Sequence, residues 1–500
     1  MMPPDSLSLP GTAAAAGGRV AVITLGCGRN EVDSDQVAGS LHAAGLQLVD
    51  DPDEADCVVV NTCTFIAPAR EESIATVLQA CDLDAQVLVI GCMAQRYGAE
   101  LAAALPEVAG VLGFADYPRL PEIVRAVLAG DAAGDAAGGA TVAGPTRPPA
   151  RRDLPLLAAP PPPPRPEAPS APPTAAFPVR TVPRGPWAYL KIAGGCDRVC
   201  TFCAIPSFRG RFVSRPASEL VAEATWLAQA GVRELVCVSE NTTSWGKDLP
   251  GGRRLQAQLI DALEGVPGLE RVRLLYLQPA EIVSELLDAM AASPLVASYY
   301  DLSLQHASAP VLSRMGRSGS AERFLELIAS IRRRDPAAVF RSSFIVGFPG
   351  ETDADVDVLE QFLLDAGLDW VGFFPFSVED GTPSATMAAQ VDAAEARARR
   401  DRLVEVAEQV AAERSEAFVG RELDVLVESN EDGPQDVVVG RSYREAPEVD
   451  GEVRVRGCQV PVGRSVKVRV VATDGVDLDA VPLTAAAGRD ARAGGMPARA

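Results

Sequence analysis

A run of prolines limits what this chain can become more than any other feature. Between Gly144 and Pro186 fall sixteen of the 40 prolines in 500 residues. Proline fixes φ and removes a backbone donor, so such a stretch builds neither a helix interior nor a central strand. The chain therefore divides into folded parts joined by an extended, semi-rigid spacer, read as residues 131–186. Residues 1–18 and the Ala/Gly/Arg-rich residues 481–500 read as disordered ends.

Before the spacer, residues 19–130 alternate apolar strand runs with helical patterns. Arg19–Leu25, Cys57–Asn61 and Val87–Ile90 read as buried parallel strands. Ser34–Ala44 reads as a helix that Gly45 stops. That βαβαβ order predicts a doubly wound α/β domain. After the spacer, residues 187–415 carry six strand candidates: Ala188–Ala193, Arg233–Ser239, Arg271–Leu277, Tyr299–Leu304, Val339–Val346 and Asp369–Phe374. Helical stretches Ser218–Ala230, Ala280–Ala292, Ala321–Arg333 and Asp353–Asp365 separate them, which predicts a (β/α)6 partial barrel. A long amphipathic stretch, Asp392–Phe418, leads into residues 416–480. Period-two runs at 422–429, 436–443, 451–457 and 465–473 predict a small all-β barrel there. The fold class is thus α/β and multidomain.

Composition then excludes several functions. Forty-six basic against 67 acidic residues give a net charge of −21, poorly suited to gripping nucleic-acid phosphates. The two histidines, His42 and His306, exclude a multi-histidine metal centre. Ten cysteines are too few and too scattered for a disulfide scaffold of this length. Met1–Gly18 lacks a basic region and a long apolar core, so no signal peptide is expected, and no stretch is long and apolar enough to span a membrane. These features predict a soluble cytoplasmic protein with reduced thiols.

The cysteines carry the chemistry. Cys196, Cys200 and Cys203 stand as C-x3-C-x2-C in GGCDRVCTFCAIPSFRGR. Three thiolates in one loop can hold three irons of a 4Fe–4S cube and leave the fourth open, as a catalytic centre requires. Zinc would need a fourth ligand nearby, and a thioredoxin-type C-x-x-C leaves Cys196 unexplained. The loop follows the first barrel strand, at the face where such barrels place their active sites. Cys27 (LGCGRN), Cys63 (NTCTFI) and Cys92 (IGCMAQRY) each follow one of the three N-terminal strands, 36 and 29 residues apart. Ligands bind at that edge of an open α/β sheet, so three sulfurs at equivalent positions read as a second cluster. For any one of them alone, a buried packing cysteine is the simpler reading. Cys57, Cys81, Cys237 and Cys458 read as packing residues. Gly26–Cys27–Gly28 lacks the lysine and spacing of a phosphate loop. His306 in LQHAS reads equally as structural or functional, and GFPGE (347–351) reads as a turn at the barrel mouth.

These segments together resemble a known family. The cysteine loop with Phe202 before its last cysteine resembles the radical S-adenosylmethionine superfamily. TLGCGRNEVDSDQ, VNTCTFIAPAREES, IGCMAQRYGAEL, SLQHAS and FIVGFPGET resemble the methylthiotransferases over residues 19–130 and 187–480. Among these, the chain looks most like those acting on the β-carbon of an aspartate in small-subunit ribosomal protein twelve. The resemblance implies two 4Fe–4S clusters, one on Cys196, Cys200 and Cys203 and one on Cys27, Cys63 and Cys92. It implies S-adenosylmethionine as radical source and methyl donor, with Phe202 near the adenine and no acid–base residue set. It further implies an electron donor such as flavodoxin or ferredoxin, and a C-terminal TRAM-like module. Residues 416–480 hold fourteen acidic and eight basic side chains, which favours a basic protein substrate over tRNA. SENTTSWG (239–246) departs from the Gly-Gly-Glu often seen at that strand end, and no ligand is assigned there. A tRNA-adenosine methylthiotransferase and a non-catalytic iron–sulfur electron carrier are the alternatives.

Overall fold

The computed structural model describes residues 18–130, 179–250, 256–431 and 436–483. The expectations of disordered ends and of a spacer fall, over residues 1–17, 131–178 and 484–500, outside the described residues.

The first domain runs β1 (Arg19–Thr24), α1 (Gly28–Ala43), β2 (Gln47–Leu48), β3 (Cys57–Thr62) and α2 (Ala67–Cys81). It continues through β4 (Gln86–Ile90), α3 (Gly91–Ala104), β5 (Gly110–Val111) and α4 (Leu120–Leu128). The strands form one parallel sheet in the order β2-β1-β3-β4-β5. Helices cover both faces. Val37, Leu41, Ile123 and Val124 of α1 and α4 pack one side. Val77, Ala80, Met93 and Leu101 of α2 and α3 pack the other. All six residues of β3 are buried, which is why its sequence is a continuous CVVVNT run. Helix α1 starts six residues earlier than the apolar pattern predicts. Its first turns bury Asn30, Asp33 and Ser34, polar residues that hydrophobic periodicity does not count.

All six expected barrel strands form. They are β6 (Trp187–Lys191), β9 (Glu234–Val238), β10 (Arg271–Leu274), β11 (Tyr299–Gln305), β12 (Val339–Val346) and β13 (Trp370–Pro375). A short antiparallel pair, β7 (Ala193–Gly194) and β8 (Val213–Ser214), closes the base of the cysteine loop. Parallel pairing runs β6-β9-β10 and β11-β12-β13, and a bridge between Leu277 and Leu302 joins the halves. No pairing joins β6 to β13 among the described residues, so the barrel is partial. The helices lie where expected, except that Ala280–Ala292 shortens to Ser284–Ala292 because Pro279 opens a separate turn. Two short helices, Gln256–Glu264 and Ala309–Arg314, were not anticipated.

Helix Ala393–Glu416 leads to a closed barrel of β14 (Glu422–Glu431), β15 (Val437–Arg441), β16 (Val453–Arg456), β17 (Ser465–Asp474) and β18 (Asp477–Pro482). Four of these match the period-two runs. The sequence reading omitted β18, whose DLDAVP is short and interrupted by acidic residues.

Ion pairs fasten the three parts together. Lys191 meets Asp33 at 2.6 Å, and Arg70 and Arg96 both grip Glu379 beyond β13. Glu234 sits between Arg271, Arg273 and Arg441, tying barrel to C-terminal module. Residues 179–186, read as spacer, are packed: buried Arg180 pairs with Asp35 and with Glu223.

Candidate active site

The carboxyl ends of β1, β3 and β4 carry Cys27, Cys63 and Cys92. The order of the sheet reverses between β1 and β3, and in open α/β sheets that switch point is the ligand crevice. Local structure brings the three loops together. Cys27 caps α1 in extended conformation, and Cys92 lies in the first turn of α3. Ser73 holds Cys63 by accepting its N–H at 3.0 Å and donating to its carbonyl at 2.9 Å. Asn30 stitches the loops by donating to the carbonyls of Leu25 and Thr62 at 2.9 and 3.2 Å. Its Oδ1 lies 3.6 Å from the Cys92 sulfur. Gly26 has a φ of 97°, and a Cβ there would sit 2.8 Å from the Cys63 sulfur, so only glycine admits this approach.

Two arginines point N–H groups at these sulfurs. Arg29 Nε is 3.4 Å from Cys27 Sγ. Arg209, at the end of the short helix Ile205–Arg209, reaches across from the barrel. Its Nε and Nη2 lie 3.3 and 3.1 Å from Cys92 Sγ. Burial drives Cys27 upward, but the Arg29 and Arg209 charges outweigh it and leave this thiol below its ordinary range. Burial pushes Cys63 up to about 11 and also raises Cys92, against the pull of Arg209.

The second set lies on the loop between β7 and β8. Thr201 anchors it to the helix Ala309–Arg314 and its cap, with Thr201 N–H on the Met315 carbonyl at 3.0 Å and Oγ1 on the Arg314 carbonyl at 2.8 Å. Asp197 accepts the Phe212 N–H at 3.0 Å across the loop. Arg317 Nη1 is 3.7 Å from Cys200 Sγ. Burial raises Cys196 and pushes Cys203 up to about 12. All three sulfur-bearing residues keep partial exposure.

The two sets face one another. A cavity of about 350 Å³ is lined by Cys27 from the first domain and by Cys196, Cys200 and Cys203 from the barrel. Cys92 packs with Ile205 and Phe208, beside Cys196 and Cys203. Phe202 lines the same cavity. Among the described residues, no group of three or more His, Cys, Asp or Glu is arranged to hold a single metal ion. A four-iron cube asks for something different, since each of its thiolates binds a separate iron. Guanidinium donors beside Cys27, Cys92 and Cys200 suit the negative charge that a thiolate-ligated cluster carries, so the donor set fits such a group.

Other expected residues lie elsewhere. Cys57 and Cys237 are buried in strands, Cys81 ends α2, and burial pushes each up to about 12. Cys458 belongs to the C-terminal module, and none of the four lines the cavity. His306 is fully buried, with Nδ1 accepting the Ser308 N–H at 2.9 Å and Nε2 3.4 Å from Glu351. Glu351 in turn accepts the Gly347 N–H, so His306 and GFPGE form one structural fastening. Sequence reasoning missed Glu240. This buried carboxylate lines the cavity 3.8 Å from Arg29 and 3.7 Å from Arg209, and neither oxygen accepts a hydrogen bond among the described residues. It also missed Asn30, Arg29 and Arg209, which stand in segments quoted only for their cysteines.

Three family models match the chain. They are the uncharacterized protein family UPF0004 over residues 19–113, the radical SAM superfamily over 190–363 and the TRAM domain over 419–482. The ribosomal protein uS12 methylthiotransferase RimO of Salinispora arenicola is 49% identical, covering 94% of this chain and 96% of its own length. Those of Nocardioides sp. and Saccharopolyspora erythraea are 47% and 48% identical, covering 93% and 94% of this chain and 97% and 96% of their own. A solved radical S-adenosylmethionine methyltransferase, TsrM from Kitasatospora setae, aligns at a TM-score of 0.49 with 17% identity, covering 74% of either chain. At such identity over nearly the whole of each relative, the chain belongs to the RimO family of ribosomal protein uS12 methylthiotransferases.

Proposed function

We propose that this chain is a radical S-adenosylmethionine methylthiotransferase that places a methylthio group on the β-carbon of an aspartate in ribosomal protein uS12. The observation that carries the reading is the shared cavity, onto which Cys27 and the Cys196–Cys200–Cys203 loop open from two domains. Cys196, Cys200 and Cys203 would hold one 4Fe–4S cluster, and Cys27, Cys63 and Cys92 a second. When bound, the clusters and S-adenosylmethionine supply a hydrogen-abstracting carbon radical, the sulfur and the methyl group. The chain's own residues align these parts and shield them. Phe202 offers an aromatic wall, and Arg29 and Arg209 balance thiolate charge. The pairs of Arg70 and Arg96 with Glu379 hold the first domain over the mouth of the barrel. Electrons would come from a flavodoxin or ferredoxin. A ribosomal substrate puts the reaction in the cytoplasm, and no helix among the described residues is long and apolar enough to cross a membrane. The acidic surplus of residues 416–480 suits a basic ribosomal protein better than tRNA.

Iron analysis after anaerobic reconstitution, joined to mass spectrometry of uS12, tests the reading. Replacing Cys196, Cys200 and Cys203 by Ala abolishes S-adenosylmethionine cleavage and removes about half the iron. Replacing Cys27, Cys63 and Cys92 by Ala keeps cleavage, loses uS12 modification and again removes about half the iron. Unchanged iron in the second variant overturns the second cluster. Unmodified uS12 with wild-type enzyme overturns the substrate.

A further inference from the structure

Four guanidiniums line the shared cavity, and three donate hydrogen bonds. Arg29 donates toward Cys27 Sγ and, at 3.5 Å, the Ser239 carbonyl. Arg198 grips Glu281 at 2.6 Å. Arg317 donates to the Ser303 carbonyl and lies beside Cys200. Arg341, on β12, differs. It makes no hydrogen bond among the described residues. It forms ion pairs instead, with Asp450 3.6 Å from Nε and Asp301 3.7 Å from Nη1. Only 20% of its side chain is exposed.

A part-buried arginine that opens on a cavity with ion pairs but no hydrogen bond keeps N–H donors free for a ligand. On the same strand, Ser343 and Ile345 follow Arg341 at two-residue steps and line the same cavity. Period-two alternation puts all three on one face of the strand, running from Arg341 toward the carboxyl end where the cysteine loop sits. Tyr276, Asp301, Ser303 and Gln305 add further polar lining, whereas Phe65, Phe374 and Phe376 make another part of the wall apolar. A short polar side chain carried on a protein loop fits this arrangement.

Resting on the uS12 reading above, we infer that Arg341 receives the carboxylate of the substrate aspartate and is the residue that selects it. The carboxyl carbon of aspartate is bonded directly to the β-carbon, so a bidentate clamp on the carboxylate fixes the carbon that reacts. An adenine base carries no carboxylate beside its reacting carbon, so the clamp positions an aspartate β-carbon and not the base of a tRNA adenosine. Asp301 and Asp450 steady the arginine. Burial raises Asp301 and pushes Asp450 up to about 6, which weakens their hold on the guanidinium's charge.

The test compares purified uS12 with uS12 carrying Asn at the target aspartate, using the reconstituted enzyme with S-adenosylmethionine and no reductant. The wild-type enzyme binds the Asp form roughly 10- to 100-fold more tightly, the range expected of a charge-assisted pair. Arg341→Gln binds both forms alike, and Arg341→Lys, which keeps the charge without the fork, retains an intermediate preference. In turnover, Arg341→Lys raises KM more than it lowers kcat. Undiminished discrimination in either variant, with circular dichroism like the wild type, overturns the inference and leaves the uS12 reading standing. If the wild-type enzyme binds neither form, the uS12 reading fails and the clamp falls with it.

Discussion

Glu234→Gln at the seam between the barrel and the C-terminal module will be among the most damaging single changes away from the cavity. Glu234 is fully buried at the start of β9. It meets Arg273 at 3.0 Å, Arg441 at 3.1 Å and Arg271 at 3.2 Å. Although burial opposes its charge, the attraction of Arg441, Arg273 and Arg271 lowers the carboxyl from 4.5 to about 2. At ~1.36 kcal/mol per pH unit, that difference corresponds to roughly 3 kcal/mol of stability. Glutamine keeps the volume and removes the charge, leaving Arg271 and Arg273 with no other ion pair among the described residues. Breaking a buried pair from one side costs about 3–5 kcal/mol, so the two routes agree. The assay is urea unfolding followed by tryptophan fluorescence, because Trp187 lies 5.8 Å from the Arg441 guanidinium. The first transition should shift by about 3 kcal/mol near neutral pH. The folded carboxyl is the more acidic, so its contribution is complete above pH 4.5 and disappears as pH falls toward about 2. The gap between wild type and Glu234→Gln should therefore be flat above about pH 5 and narrow below it. A gap under about 1 kcal/mol, or one that widens in acid, refutes the reasoning.

Two further outcomes follow from the same geometry. Arg209→Gln removes two N–H donors and a charge from the Cys92 sulfur, so the reduction potential of the cluster proposed on Cys27, Cys63 and Cys92 would fall while that of the one proposed on Cys196, Cys200 and Cys203 would not; redox-titrated electron paramagnetic resonance reads both. Gly91→Ala puts a Cβ 2.5 Å from the Thr62 carbonyl, against Asn61 Oδ1, at a φ of 94°. The expected loss is roughly 3 kcal/mol, and iron held at the proposed N-terminal site would leave before global unfolding; thermal melts with iron counts check it.

The strands and long helices were legible because their burial is apolar and periodic. β3 is buried on both faces and reads as an unbroken apolar run, and Ala321–Arg334 buries Phe324, Ile328 and Ile331 at helical spacing. The elements missed or shortened carry a different signal. The start of α1 buries Asn30, Asp33 and Ser34 because their partners are polar groups on neighbouring strand ends, and no window along the sequence contains those partners. β18 joins the small barrel by pairing with β16 and β17, an edge that exists only once the barrel closes.

The same distinction divides the site. Six cysteines could be singled out because three follow strand ends and three stand at C-x3-C-x2-C spacing in one loop, and both are local properties. Arg29, Arg209 and Glu240 could not, because what matters about them is mutual. They come from α1, from the helix after the cysteine loop and from the end of β9, and they meet only when two domains close on each other. An arginine is ordinarily a surface residue, so its type carries no warning that it will be nearly buried with an N–H on a sulfur. Arg341 is the limiting case. Its sequence context, FRSSFIVGF, reads as a strand and nothing more. Its significance appears only when every other guanidinium lining the cavity is found hydrogen-bonded and this one, among the described residues, is ion-paired alone. Candidate ligands can be read from spacing, whereas the selection proposed for Arg341 rests on which donors the folded protein leaves without a hydrogen bond.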